Sequence, residues 1–260
     1  ITEEAALYER SKNKHGGWAG ARQFEITNKQ AESELVTSFT LTPVDGEAVI
    51  THKPGQYLGI KVKPEGAEYE EIRQYSISQK SNAKNYRISV KKELQPKPGM
   101  VSNYLHSLEQ GTIVELYPPA GDFFLRNNTS PVVLISAGVG QTPMLAMLET
   151  LLSDNSNQEI MYLHACENTQ QHSFSKYLNE LNTVYNRLQT MTWFNQATKG
   201  ADFTGLMNLN AVQAQLPLSN GDFYLCGPAG FMAFIKNQLL ELGVKNEQIH
   251  YEVFGPHEDL

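Results

Sequence analysis

The 260-residue sequence predicts a mostly β domain, an antiparallel barrel, followed by a doubly wound α/β domain on a parallel sheet. Three observations predict this. From Arg22 to about Leu125 the chain consists of short segments rich in β-branched and aromatic residues, separated by Gly- and Pro-containing turns. After Asn127-Asn128, short continuous apolar runs alternate with helical stretches, the pattern of strands buried on both faces. The length suffices for two domains that each bury a core. The boundaries that follow are a leading segment over 1–20, the barrel over 21–127 and the α/β domain over 128–260.

Residues 1–15 read as a short polar helix whose apolar Ala5, Ala6 and Leu7 are too few to bury alone, stopped by Gly16-Gly17. The chain opens on Ile1 rather than Met, as a fragment of a longer chain would. Phe24 to Ile26, Leu35 to Leu41, Tyr57 to Val62, Tyr86 to Val90 and Ile113 to Leu116 read as barrel strands. Pro54-Gly55, Pro64-Glu65-Gly66 and Pro118 to Gly121 are turns between them. Val132 to Ser136, Ile160 to Ala165, Thr190 to Phe194, Phe223 to Cys226 and Ile249 to Val253 read as buried strands. Residues 142–152, 173–185 and 229–242 read as the helices between them.

Composition excludes several classes of function. With 40% apolar and 19% charged residues the chain is that of a soluble globular protein, and no apolar run approaches the roughly 20 residues of a bilayer span. A formal charge of -7 argues against nucleic acid as a partner, since phosphate binding leans on clustered Lys and Arg. Ile1 to Glu4 form neither a basic leader nor an apolar signal core, and the two cysteines, Cys166 and Cys226, lie in separate strand-like runs. A reducing, cytoplasmic compartment is expected. The seven histidines, at 15, 52, 106, 164, 172, 250 and 257, show no metal-ligand spacing, and His164 is expected to be a buried, hydrogen-bonded side chain.

Chemistry concentrates in three motifs. Val132 to Pro143 ends a buried strand in Gly138-Val139-Gly140-Gln141 and opens a helix, with Thr142 suited to the N-cap and Pro143 to the first turn. Such a turn offers free N–H groups and a helix dipole to an anion, although a lone Gly-x-Gly is equally an ordinary tight turn. Tyr224-Leu225-Cys226-Gly227-Pro228 is a second strand running into a turn and helix. It should lie beside the first at the carboxyl ends of the strands, where doubly wound sheets bind ligands. Cys226 alone reads as a small core residue, with a positioning rather than a covalent role. Arg73-Gln74-Tyr75-Ser76 places a guanidinium, a phenol and a hydroxyl on one strand. These groups suit a diphosphate, an aromatic ring face and a ring nitrogen, but an ordinary amphipathic strand fits the same residues.

Taken together, Arg73 to Ser76, Gly99-Met100-Val101-Ser102, Gly138 to Pro143, Cys226 to Pro228 and Tyr251 to Pro256 resemble the ferredoxin-reductase superfamily in order and spacing. Gly55 to Gly59, Ile72 to Ser76, Pro119 to Phe124 and Ile135 to Met147 are more narrowly similar to the reductase half of bacterial flavohemoglobins. That resemblance spans the chain and implies an FAD-binding β-barrel followed by an NAD-binding α/β domain. It implies that Tyr57, Arg73, Gln74, Tyr75 and Ser76 contact FAD. Val101 and Ser102, at the start of a helix-like Asn103 to Leu108, meet its pyrophosphate. Gly138, Val139, Gly140, Gln141, Thr142 and Pro143, with Cys226, Gly227 and Pro228, hold the dinucleotide. Glu252, Val253, Phe254, Gly255 and Pro256 close the site, with Phe254 on the flavin face. Tyr75, Ser76, Glu252 and Phe254 lie nearest the reacting atoms. The proline-rich Gln95 to Pro98 departs from the pattern and alters only the loop path.

The implied reaction is hydride transfer from NAD(P)H to FAD, then single-electron transfer to the heme of a globin domain, supporting nitric oxide dioxygenation to nitrate. Residues 1–20 resemble the tail of the last globin helix and its linker. The globin, and with it the heme, is not among these 260 residues. Two rival readings are a free-standing flavin reductase serving a diffusible one-electron acceptor and a non-catalytic FAD-binding subunit. The linker-like start argues against the first and the two glycine turns against the second. At the end of the second parallel strand, His164 to Gln171 carries Glu167 and no Arg to receive a 2'-phosphate, so NADH is expected over NADPH.

Overall fold

The computed structural model describes residues 16–126, 129–153, 157–196 and 199–253, in two compact units that divide between Leu125 and Arg126. The helix expected over 1–15 lies outside the described residues, as do Phe254, Gly255 and Pro256.

The first unit holds β1 (Arg22–Ala31), β2 (Val36–Pro43), β3 (Tyr57–Val62), β4 (Glu71–Ser76), β5 (Tyr86–Lys91), helix α1 (Met100–Ser107) and β6 (Ile113–Leu116). The strands form one antiparallel sheet in the order β4-β3-β6-β1-β2-β5. Its two edges meet just beyond Ser76, where Ile77 bridges Ile88 and the Ser78 N–H donates to the Arg87 carbonyl at 2.8 Å. That junction curls the sheet toward a barrel. Alternate residues such as Phe24 and Ile26 on β1 and Phe39 and Leu41 on β2 point inward and are buried. Trp18 packs its ring 5.7 Å from that of Phe24 and donates its indole N–H to the Leu116 carbonyl, so the segment entering β1 is part of the core.

Helix α1 starts earlier than the sequence suggests. Met100 is its first residue and Ser102 its third, because Gly99 in extended conformation provides the cap without any side-chain bond. No residue type marks such a start, which hides it from a reading by capping side chains.

The second unit holds β7 (Val132–Ala137), α2 (Gln141–Ser153), β8 (Ile160–Cys166), α3 (Ser175–Val184), β9 (Leu188–Phe194) and β10 (Phe203–Thr204). It ends with β11 (Asp222–Gly227), α4 (Ala229–Glu241) and β12 (Ile249–Val253). The strand order is β10-β9-β8-β7-β11-β12, all neighbours parallel. β7, β8 and β11 are buried along nearly their whole length, which is why they read as unbroken apolar runs. On one face Val133, Ile135, Leu163, Phe223 and Leu225 pack with Met232, Ile235 and Leu239 of α4. The two-residue β10 is too short to leave a pattern in sequence. No helix among the described residues is long and apolar enough to cross a membrane.

Candidate functional site

In the first unit the antiparallel register places Tyr57 opposite Ser76, Leu58 opposite Tyr75, Gly59 opposite Gln74 and Ile60 opposite Arg73. β4 is a sheet edge, and Ile72, Arg73 and Gln74 are exposed along it. The Arg73 guanidinium is 54% exposed; it pairs with Glu71 at 2.8 Å and donates to the Ile72 carbonyl. Tyr75 is half-buried against the barrel core. Burial pushes its phenol up to about 12, with the Arg73 charge opposing and the Glu93 charge adding. The phenol is therefore a donor over the whole physiological range. Ser76 is buried, and its hydroxyl oxygen has no partner among the described residues. An unbonded hydroxyl in a barrel wall costs about 1–3 kcal/mol of desolvation, so it points to a partner from outside the chain.

Glu93 joins this strand to α1. Its charge is felt at Tyr75, and its backbone N–H donates to the Ser102 hydroxyl at 3.2 Å. Ser102 in turn donates to the Gly99 carbonyl, and Asn103 donates to the carbonyls of both Glu93 and Gly99 at 2.8 Å. The Ser102 hydroxyl thus holds the start of the helix together. The amides of the first turn of α1, including those of Val101 and Ser102, lack intrahelical acceptors and are the groups there that could receive an anion. Glu93 and Asn103 are residues that sequence reasoning missed, since only the fold brings β5 and α1 together.

In the second unit two turns meet at the point where the strand order reverses between β7 and β11. Gly138 leaves β7 with φ +53° and open space around it, a conformation few side chains tolerate. A tight turn over Gly138–Gly140 runs directly into α2. Thr142 is consequently the second residue of the helix rather than its N-cap, and its hydroxyl donates back to the Val139 carbonyl at 3.0 Å. Pro143 lies in the first turn, as expected. Gln141 is buried, with its side-chain oxygen unpartnered among the described residues. Gly140 abuts the second turn: a β-carbon there would stand 2.6 Å from the Gly227 nitrogen and closer still to the Cys226 carbonyl.

Cys226 is fully buried, and its thiol is held well above the ordinary range by burial and then by the Glu252 charge. Register puts Cys226 opposite Glu252 and Gly227 opposite Val253. Such a thiol stays protonated and is no nucleophile. Pro228 is exposed and caps α4. His164, expected to be fully bonded, has one nitrogen bonded to the Ser136 hydroxyl at 2.9 Å and its Nε2 unpartnered. Its other face stacks on His172 at 5.5 Å, and His172 meets the Phe194 ring edge. Glu167, just past β8, is exposed and accepts from the Asn195 amide at 2.7 Å.

The architecture agrees with comparisons to known proteins. Residues 23–125 match the oxidoreductase FAD-binding domain family and residues 134–237 the oxidoreductase NAD-binding domain family. A flavohemoprotein of Vibrio cholerae is 49% identical over 263 residues, covering 100% of this chain; the chain spans 66% of that relative's length. The crystal structure of the FAD/NAD-binding domain of nitric oxide dioxygenase from Vibrio cholerae is 49% identical with TM-score 0.85. It covers 90% of this chain, which in turn covers 99% of it. A flavohemoglobin from Malassezia yamatoensis, solved with bound FAD and heme, is 25% identical with TM-score 0.86, covering 98% of this chain and 64% of that one.

Proposed function

The chain belongs to the flavohemoprotein family as its FAD- and NAD-binding reductase portion, and from that premise we propose that it passes electrons singly from NAD(P)H to a globin heme, supporting nitric oxide dioxygenation. The residues fit FAD: a buried hydroxyl without a partner, an exposed guanidinium and the first turn of a helix are offered together by one unit. Tyr57, Arg73, Gln74, Tyr75 and Ser76 with the amides of Val101 and Ser102 would hold it. The two turns Gly138 to Pro143 and Cys226 to Pro228 would hold the nicotinamide dinucleotide, with Glu252 and Val253 at their flank. Residues 21–127 and 128–260 are proposed as the two cofactor domains.

Bound FAD would supply the redox chemistry, uptake of two electrons from NAD(P)H and their release one at a time, that no side chain here supplies. The chain's own residues bind and orient. Ser76 offers a fixed donor and acceptor in a dry wall. Tyr75 keeps its proton and presents an apolar ring with a polar tip. Cys226, protonated and packed beneath Gly140, fills space without competing as a nucleophile. Gly138, with open space where a β-carbon would stand, would let a diphosphate approach the amides at the start of α2, and Gly140 lets the second turn close against the first.

The observation that carries this reading is the buried Ser76 hydroxyl with no partner among the described residues. The experiment has two arms. FAD titration of the purified chain should give tight, non-covalent uptake, and Arg73→Ala should weaken it about 10- to 100-fold while sparing NADH, as expected for a charge-assisted phosphate contact. NADH should then reduce the loaded chain and drive ferricyanide reduction. NADH-dependent nitric oxide consumption should appear only when a globin domain is fused upstream. Failure to take up FAD, or nitric oxide consumption by the heme-free chain, would overturn the reading.

A further inference from the structure

Helix α1 is eight residues long, and a helix of that length is marginal on its own, so its placement depends on what holds its ends. At the N-terminal end it is held by the Gly99 backbone cap, by the Gly99 N–H on the Glu93 carbonyl and by the local bonds of Ser102 and Asn103 to Glu93 and Gly99. The C-terminal end is held by a side chain far away in sequence. Lys29, on β1, donates from its ammonium to the His106 carbonyl at 2.9 Å and to the Leu108 carbonyl at 2.8 Å. These are carbonyls that no later turn of helix can satisfy, and they carry the negative end of the helix dipole. His106 adds a second tie, with its Nε2 2.8 Å from the Val90 carbonyl on β5 and its ring edge-on to Phe39 at 6.2 Å. Phe39 is itself the β2 partner of Lys29, so all three groups form one joint between α1 and strands β1, β2 and β5.

Resting on the reading of the first unit as the FAD site, we propose that Lys29 is a positioning residue for FAD: it clamps the carbonyl end of α1 and so fixes the amides at the opposite end that receive the diphosphate. Lys29 touches no part of that phosphate-facing turn. A cation on the last carbonyls favours the aligned helix and the anion at its start, and its loss lets an eight-residue helix fray from the end whose carbonyls it binds. The exposed Glu109, 3.9 Å from the same ammonium, is a loose surface pair and is not part of the clamp.

The test is FAD titration of the stripped full chain, followed by flavin fluorescence, for wild type, Lys29→Met, Lys29→Arg and Glu109→Gln, together with NADH binding and melting of each apo form. Lys29→Met keeps the packed stem and should weaken FAD about three- to tenfold, the scale of a helix-terminal charge with its hydrogen bonds. NADH affinity should not change, Lys29→Arg should recover most of the FAD affinity, and Glu109→Gln should match wild type. Should Lys29→Met not fold, Lys29→Gln replaces it and must show the same selective loss. FAD affinity within twofold of wild type in the Met or Gln variant, or an equal loss for NADH, would overturn the proposal. A wild-type chain that binds no FAD would instead remove the reading on which it rests.

Discussion

Gly140 and Cys226 are in backbone contact across two neighbouring parallel strands, so close that a β-carbon at 140 would collide with the Cys226 carbonyl. The first turn can come this near the second only because residue 140 has no side chain. Gly140→Ala must therefore push the two turns apart, at about 1–3 kcal/mol, the range for overpacking a rigid site. We expect NADH affinity to fall at least tenfold while FAD affinity holds. Isothermal titration with each cofactor separates the two, and unchanged NADH binding would mean that the turns do not form one binding surface.

Ser76 gives a prediction of opposite character, because its buried hydroxyl has no partner among the described residues. Removing an unsatisfied buried polar atom does not destabilise a fold by lost bonds and can stabilise it. Ser76→Ala should leave apo melting equal or higher. In the loaded chain it should slow NADH reduction of the flavin by about tenfold or more, the usual scale of one preorganised donor or acceptor. Melting curves and stopped-flow traces together decide it. A fall in apo melting with unaltered reduction would show that the hydroxyl serves the barrel instead.

The stacked pair His164 and His172 predicts an acid sensitivity. Burial holds both imidazoles below the usual range, His164 down to about 3, with the neighbouring ring adding to the effect. In the unfolded chain they take protons near pH 6.5, and in the folded chain at lower pH, about 3 for His164. The unfolded state therefore binds more protons below pH 6.5, and stability falls as pH drops from there toward 3, by at most about 1.4 kcal/mol per pH unit per group. His106 is shifted in the same direction and adds to the slope. Chemical unfolding of the apo chain between pH 7 and 5, above the carboxylate range, should show this decline. His164→Gln should flatten it, and a slope unchanged by that substitution would assign the protons to other groups.

The parallel strands were legible because burial on both faces forces continuous apolar runs, as in Val132 to Ile135 and Phe223 to Cys226. Both glycine turns were legible because close approach and positive φ leave glycine as the fitting residue. What escaped was set by backbone or by distance. The start of α1 at Met100 rests on an extended glycine, and Thr142 lost its capping place because the Gly138–Gly140 turn already has helical sense. Glu93 beside Tyr75 and Lys29 beneath α1 depend on how barrel strands fold together, and no local spacing announces them.

Cofactor preference is expected to turn on Glu167, the first residue beyond β8, where an adenosine ribose lies in doubly wound sheets. Its carboxylate is exposed and is steadied by the Asn195 amide at 2.7 Å, with the Gln196 N–H bonded to the Glu167 carbonyl. Held so, it can accept from a ribose hydroxyl, whereas a 2'-phosphate would bring like charge against it. No Arg lies in the stretch from His164 to Gln171 to offset that charge. NADH should therefore have the higher kcat/KM. Glu167→Gln, which keeps the shape and removes the charge, should narrow the ratio mainly by lowering KM for NADPH. Glu167→Arg should narrow it further or reverse it. Asn195→Ala should leave the charge in place but loosen its aim, weakening NADH more than NADPH. The check is steady-state ferricyanide reduction with FAD saturating, so that only the nicotinamide site is varied. A wild-type preference for NADPH, or a ratio that Glu167→Gln does not move, would place the ribose away from this strand end.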